Sequence, residues 1–132
     1  MRIQVKDFMS SPVTTASEEA TVQEIRALMK KEEIHAIPIV SYAKDRPTNE
    51  MTIRGIVTAS DISKNVHDGA CMANIMTSSS IHVVHRDSSA QAAAKMMLRH
   101  KVHHMVVMDE GKVQGMISSI DFVKLVAEHS LE

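Results

Sequence analysis

Gly55-Ile56-Val57-Thr58-Ala59-Ser60-Asp61-Ile62 returns further along the chain as Gly115-Met116-Ile117-Ser118-Ser119-Ile120-Asp121-Phe122, at a constant offset of 60. In both stretches a glycine, two apolar residues and a hydroxyl residue precede an aspartate three positions on. That pattern reads as a strand running into the start of a helix. Toward the N-terminus the correspondence continues at an offset of 68: Val13-Thr14-Thr15-Ala16 lies over Ile81-His82-Val83-Val84, and Ile34-His35-Ala36-Ile37-Pro38-Ile39-Val40 over Val102-His103-His104-Met105-Val106-Val107-Met108. Gln23 falls on Gln91, Met29 on Met97 and His35 on His103. The difference between the offsets, 68 minus 60, gives the first copy eight extra residues ahead of its glycine. A repeat outranks any single motif, because each copy is one supersecondary unit that buries its apolar face against its like.

Each copy has the same order of elements. A short extended segment (Val13 to Ala16; Ile81 to Val84) leads through a polar turn into a helix opened by Thr21-Val22-Gln23-Glu24 or Ser89-Ala90-Gln91. Val22, Ile25 and Met29, like Ala90, Ala93 and Met97, form one apolar stripe per helix, which reads as core. Strands follow at Ala36 to Val40 and Met105 to Met108, then at Ile53 to Val57 and Val113 to Ile117. The second copy turns between them through Asp109-Glu110-Gly111-Lys112, a hairpin signal, and the first through the longer polar stretch Tyr42 to Thr52. A last helix starts near Asp61 and Asp121, with Ser60 or Asp61, and Ser119 or Asp121, as cap oxygens. The fold class is α+β, strand-helix-strand-strand-helix twice. At about 60 residues neither copy is large enough to be stable alone, so the two are expected to pack around a pseudo-twofold axis. The boundaries read as residues 1–66 and 67–130, with Asn65 to Ala70 as connector.

Composition narrows the function classes. Of 132 residues, 15 are Lys or Arg and 16 Asp or Glu, for a net charge of −1, which speaks against a general nucleic-acid binder or a polybasic membrane anchor. Hydrophobic residues make up 44% and no run reaches the length of a membrane span. The opening Arg2-Ile3-Gln4-Val5-Lys6-Asp7 is too polar for a signal peptide, and the single cysteine, Cys71, fits a reducing compartment, so the expected location is cytoplasmic. With no Trp, one Tyr, two Phe and 11 Met, the core must be aliphatic and Met-rich.

Asp7-Phe8-Met9-Ser10 and its counterpart Asn74-Ile75-Met76-Thr77, the histidine leading into Ala36-Ile37-Pro38-Ile39-Val40, and the duplicated Gly-apolar-apolar-Thr/Ser-x-x-Asp together resemble a tandem pair of cystathionine-beta-synthase (CBS) domains, a Bateman module. The resemblance runs from about Val5 to Val126. It implies a regulatory module for an adenosine-containing ligand (AMP, ADP, ATP or S-adenosylmethionine) bound in the cleft between repeats, with no further cofactor and no catalysis. It further implies a homodimer acting on an unidentified regulated protein.

The same resemblance assigns Val13, Thr14, Thr15, Ala36, Ile37 and Pro38 to one adenine slot, joined by Met116, Ser118 and Asp121. It assigns Ile81, Val83, His104 and Met105, with His82 and Val106 in the same segments, to the other slot, joined by Ile56, Thr58 and Asp61. The chemistry fits: a carboxylate at a strand-to-helix junction can accept from both hydroxyls of a ribose, and helix-start N–H groups suit a phosphate. Lys64, Lys124, Arg86, Arg99 and Lys101 are the candidate phosphate cations, and none is singled out.

Four other readings compete. Each aspartate can be no more than a helix cap. His82, His85, His100, His103 and His104 invite a metal site, but no cysteine and no helical His-Glu-x-x-His pattern joins them, and the expectation is no metal. Cys71 with His67 can be drawn as a nucleophile and base but lacks an orienting third residue. The main alternative is a ligand-free dimerisation module, using Ile62, Phe122, Leu125 and Val126.

Overall fold

The structure, a computed structural model, describes residues 2–42, 51–63, 65–78 and 81–129. Lys64, Ser79, Ser80 and positions 43–50 of the long polar turn lie outside those residues. The chain forms two compact units, one of Thr14–Ile81 and one combining the stretch up to Val13 with the stretch from His82 onward. The first-repeat unit carries α1 (Val22–Glu32), β1 (Ala36–Tyr42), β2 (Met51–Thr58), α2 (Ala59–Ser63) and α3 (Met72–Ile75). The second-repeat unit carries a 3-10 turn (Val5–Asp7), β3 (Val83–His85), α4 (Ala90–His100), β4 (His104–Asp109), β5 (Lys112–Ser118) and α5 (Ser119–Glu128).

Matching sequence produces matching detail. The side chains of Thr21 and Ser89 cap α1 and α4 by accepting from the N–H of Glu24 and Ala92 at 3.3 and 3.0 Å. Both helices end on a left-handed residue that is not glycine, Glu33 and Lys101, each at φ 55°. The N–H of Ile34 and of Val102 then returns to the carbonyl of Met29 and of Met97, at 3.0 and 3.1 Å, closing the helix end. In each unit the antiparallel pair shifts register at one place, between Ile39 and Val40 and between Val107 and Met108, positions related by the offset of 68. The Asp109 to Lys112 turn is a two-residue hairpin with Glu110 and Gly111 both at positive φ, as the sequence predicts.

The opening strand is complete only in the second-repeat unit, where β3 pairs in parallel with β4. In the first it shrinks to a single parallel bridge between Ala16 and Ile39. Val22, Ile25, Met29, Ile37, Ile39, Val57, Ile62 and Met72 form the first unit's core, and Val5, Val84, Ala93, Met97, Met105, Val107 and Ile117 the second's. Each fully buried aliphatic side chain contributes about 1.5–3 kcal/mol.

The compact units cut the chain at different places from the repeat. Asp7-Phe8-Met9-Ser10 packs with the second repeat: Val5 N–H donates to Ser88 O at 2.8 Å, and Ser10 and Met116 exchange backbone bonds of 2.8 and 3.1 Å. Met76-Thr77 packs with the first, Thr77 and Ile56 exchanging bonds of 2.9 and 3.0 Å. The two motif glycines make room for these crossings. A Cβ on Gly115 would lie 2.6 Å from Ser10 O, and one on Gly55 2.6 Å from Met76 Sδ.

Candidate functional site

Strand register sorts the predicted site residues. Ala36 lies opposite Thr58, Ile37 opposite Val57 and Pro38 opposite Ile56; in the second unit His104 lies opposite Ser118, Met105 opposite Ile117 and Val106 opposite Met116. Ile37, Val57, Met105 and Ile117 are core. Since side chains alternate across a strand, Ala36, Pro38, Ile56 and Thr58 share the other face, and so do His104, Val106, Met116 and Ser118. Ile37 and Met105 therefore do not join the candidate face, because their side chains turn into the cores on the opposite side of the strand; the face itself is also largely covered, with Pro38 and Val106 fully buried and Ala36 and Met116 at 8%.

Val83 pairs beside Val106 and belongs to the same face; it is 41% exposed. Ala16 bridges Ile39 and packs on the core, so alternation turns Thr15 to the Pro38 side, with Thr14 adjacent. Val13 falls in the second-repeat unit and Ile81 in the first, each half-buried. Val106, assigned to the second slot alongside His104 and Met105, stands opposite Met116 on this face. Its equivalence to Pro38 under the offset of 68 agrees with that assignment.

The aspartates stand where this face meets a helix. The N–H of Thr58 donates to Asp61 Oδ2 at 2.9 Å, and the Asp61 N–H donates back to Thr58 Oγ1 at 3.3 Å. Ser118 and Asp121 do the same at 2.8 and 3.4 Å, forming a capping box at the start of α5. The cap hydroxyls are thus Thr58 and Ser118, not Ser60 and Ser119, because α2 begins two residues and α5 one residue earlier than those serines suggest, while the Asp61 and Asp121 oxygens take part in the cap as expected. Ala59 N–H and Ser119 N–H also donate to the carbonyls of His35 and His103, at 2.8 and 3.0 Å, which tie each helix start to the entry of β1 or β4.

Capping accounts for Oδ2 of each aspartate. Oδ1 has no hydrogen-bond partner among the described residues, and both aspartates are half-buried. Each unit therefore places a carboxylate oxygen held by the cap beside a strand face whose aliphatic side chains are mostly buried, with Ile56 in the first unit and Val83 in the second the more accessible, which is chemistry suited to a planar apolar ring bearing a diol.

The remaining candidates have local work. His85 Nε2 lies 3.1 Å from Asp109 Oδ1 while its Nδ1 accepts from the Asp87 N–H at 3.1 Å, and His67 Nδ1 accepts from the Gly69 N–H at 2.9 Å. His82 and His100 stack with centroids 4.0 Å apart. Among the described residues no group of three or more His, Cys, Asp or Glu is disposed to hold a metal ion. Cys71 sits half-buried just before α3, and Arg99 and Lys101 lie exposed at the end of α4. Among the described residues no helix is long and apolar enough to cross a membrane.

Comparison with known proteins accords with this geometry. The chain is 32% identical over 126 residues to inosine-5'-monophosphate dehydrogenase of Chlorobaculum parvum, covering 91% of this chain but 24% of that enzyme, so it spans about a quarter of that relative's length. It is 25% identical to the CBS domain-containing protein YhcV of Bacillus subtilis, covering 86% of this chain and 79% of that protein. Among solved structures it is similar to the CBS domain pair of protein MJ0100 in complex with 5'-methylthioadenosine and S-adenosyl-L-methionine, at 25% identity and a TM-score of 0.81, covering 97% and 98% of the two chains. The CBS domain family model matches residues 5–68 and again 72–128, so the duplication that opened the reading is a duplication of that domain, and the chain belongs to the CBS domain family.

Proposed function

We propose that the chain is a regulatory, non-catalytic module that binds an adenosine-containing ligand at the face of Ala36, Pro38, Ile56 and Thr58 and at its counterpart of His104, Val106, Met116 and Ser118. The observation that carries this reading is the duplicated carboxylate: among the described residues Asp61 and Asp121 each keep Oδ1 unengaged beside an aliphatic strand face while the cap fixes their orientation. A ribose diol on Oδ1 is the complement, with adenine against the aliphatic residues and read by backbone groups. The ligands named for the MJ0100 domain pair, both adenosine derivatives, support the same class. The enzyme relatives match over only a quarter of their length, which agrees with a module that regulates rather than catalyses. We place it in the cytoplasm, as a homodimer acting on a separate protein.

The test is isothermal calorimetry with AMP, ADP, ATP, S-adenosylmethionine and 5'-methylthioadenosine on the purified chain. Saturable binding of at least one, weakened in Asp61→Asn or Asp121→Asn, is expected; no binding of any would overturn the reading. A second reading, a ligand-free association module, is favoured by the exposed apolar side chains of α4 and α5. It predicts a dimer whose melting temperature is indifferent to all five compounds.

A further inference from the structure

The two repeats carry equivalent cavities with different linings. In the first-repeat unit the cavity between α1 and α2, about 310 Å³, is lined by Arg26, Lys30, His35 and Ser63 beside aliphatic residues. Arg26 reaches across it, donating to the Ile62 carbonyl at 2.8 Å and pairing with Asp68. In the second-repeat unit the offset of 68 puts Ala94 at the place of Arg26 and Leu98 at that of Lys30. Ala94 is too short to reach across, and the cavity there is about 460 Å³. Ala94, Met97, Leu98, Val102 and Phe122 give it apolar walls, and no lining residue is acidic. The remaining lining residues, Lys101, His103 and Ser119, are polar. They gather at one end, since Lys101 and His103 flank Val102 and the Ser119 N–H donates to the His103 carbonyl at 3.0 Å. All three are exposed, and among the described residues none of their side chains has a hydrogen-bond or ion-pair partner.

We infer that the cavity between α4 and α5 binds an amphipathic carboxylate, an aliphatic chain ending in a single carboxylate group. Its volume lies within the range of about 300–1,000 Å³ typical of small-molecule sites. An apolar cavity of about 150 Å³ takes a benzene ring, roughly 25 Å³ per carbon, so a chain of about ten carbons fills about half of this one. The chain leaves water along its whole length, and the polar end fixes its direction. Lys101 supplies the positive charge, and the Ser119 hydroxyl and the His103 ring supply further hydrogen-bond donors. One lysine balances one negative charge, whereas a phosphate dianion would be left half-compensated. A neutral chain makes no use of the lysine, and a cationic one is repelled by it. The first-repeat cavity does not duplicate the site, because Arg26 takes up part of it and is already paired. None of the lining residues of the second cavity belongs to the candidate adenosine faces, so the inference goes beyond that reading and does not depend on it.

The test is isothermal calorimetry on the full chain with decanoate, below its micelle-forming concentration, beside decan-1-ol and decylammonium as chains of the same length without the negative charge. The expected result is one saturable decanoate site per chain, with both other compounds binding at least tenfold more weakly. Lys101→Asn, which suits the left-handed backbone at that position, should weaken decanoate at least tenfold and leave decan-1-ol unchanged. Ala94→Phe, which fills the cavity, should abolish binding with an unchanged far-ultraviolet circular dichroism spectrum. Should that variant fail to fold, Lys101→Asn and the comparison of head groups decide the matter alone. Absence of saturable decanoate binding, the outcome if another protein surface fills the cavity, overturns the inference. So does decan-1-ol or decylammonium binding as tightly as decanoate, or a Lys101→Asn variant that binds decanoate like the parent. Nucleotide binding is measured separately, and its failure would leave this site standing.

Discussion

Thr58 and Asp61 hold each other by two reciprocal bonds, N–H to Oδ2 at 2.9 Å and N–H to Oγ1 at 3.3 Å, and Ser118 with Asp121 repeats the pair at the same step of the second copy. The aspartate is thereby a structural cap and a presented carboxylate at once. The two roles separate experimentally, because asparagine keeps an oxygen acceptor for the cap but removes the charge.

Asp61→Asn and Asp121→Asn should therefore melt close to the parent, whereas the alanine variants lose about 0.5–2 kcal/mol with the cap. Ligand affinity should fall in both substitutions by the worth of charge-assisted hydrogen bonds, about 1.5–3 kcal/mol or roughly 10- to 100-fold in Kd. Thermal denaturation and calorimetry on the four variants measure the two effects independently. An asparagine variant that binds as tightly as the parent removes the ribose role and leaves the cap.

Ile37 and Pro38 are neighbours on one strand with opposite assignments, one in the core cluster and one on the candidate face. Ile37→Ala should cost about 2–5 kcal/mol, as should Met105→Ala in the other core. Pro38→Val, which installs the residue found at Val106, should cost less than about 1.5 kcal/mol. Urea midpoints at constant slope check the ranking; equal losses at positions 37 and 38 would reverse the face assignment.

What the sequence made legible was what is local and duplicated. The caps at Thr21 and Ser89, the helix stripes and the Glu110-Gly111 hairpin follow from residue types within a few positions, and the offset of 68 carried each from one copy to the other. Other features were invisible for physical reasons. Helix ends at Glu33 and Lys101 use the left-handed conformation without a glycine to announce it. The choice between Ile37 and Pro38, or Met105 and Val106, depends on strand parity, which a run of five apolar residues does not encode. The packing of Met9-Ser10 on the second repeat and Met76-Thr77 on the first is long-range pairing, marked only by two glycines whose need for space appears once the crossing chain is in place.

The Lys6–Asp87 pair, 3.1 Å apart, helps fasten the N-terminal segment to the second repeat beside the Lys6 N–H to Arg86 O bond. The hydrogen bond from Lys6 holds the Asp87 carboxyl below the usual carboxylate range. A lowered folded-state pKa contributes stability above the unfolded value, and that contribution is lost as pH falls through the folded one. The parent should therefore be slightly more stable than Lys6→Met at neutral pH, with the difference closing only in acid below the ordinary aspartate range. Added salt should shrink it, as expected of an exposed pair. Paired thermal melts across pH test this, and a difference that persists unchanged in strong acid would assign the effect to packing of the lysine stem.

Gly115 and Gly55 are equivalent by sequence and differ in what surrounds them. A Cβ at Gly115 meets the Ser10 carbonyl oxygen at 2.6 Å, a backbone atom fixed by the Ser10–Met116 bond pair. At Gly55 the first obstacle is Met76 Sδ, also at 2.6 Å, which sits partway along a flexible thioether; the Thr77 carbonyl is farther, at 2.9 Å. Gly115→Ala should consequently displace the N-terminal segment and expose Val5, which is fully buried, whereas Gly55→Ala is absorbed in part by a new methionine rotamer. The expected order of melting temperature is parent, Gly55→Ala, then Gly115→Ala. Hydrogen exchange should rise at Val5, Lys6 and Ser10 in the last variant, and equal destabilisation with no local change at those amides would refute the assignment of the N-terminal segment to the second repeat.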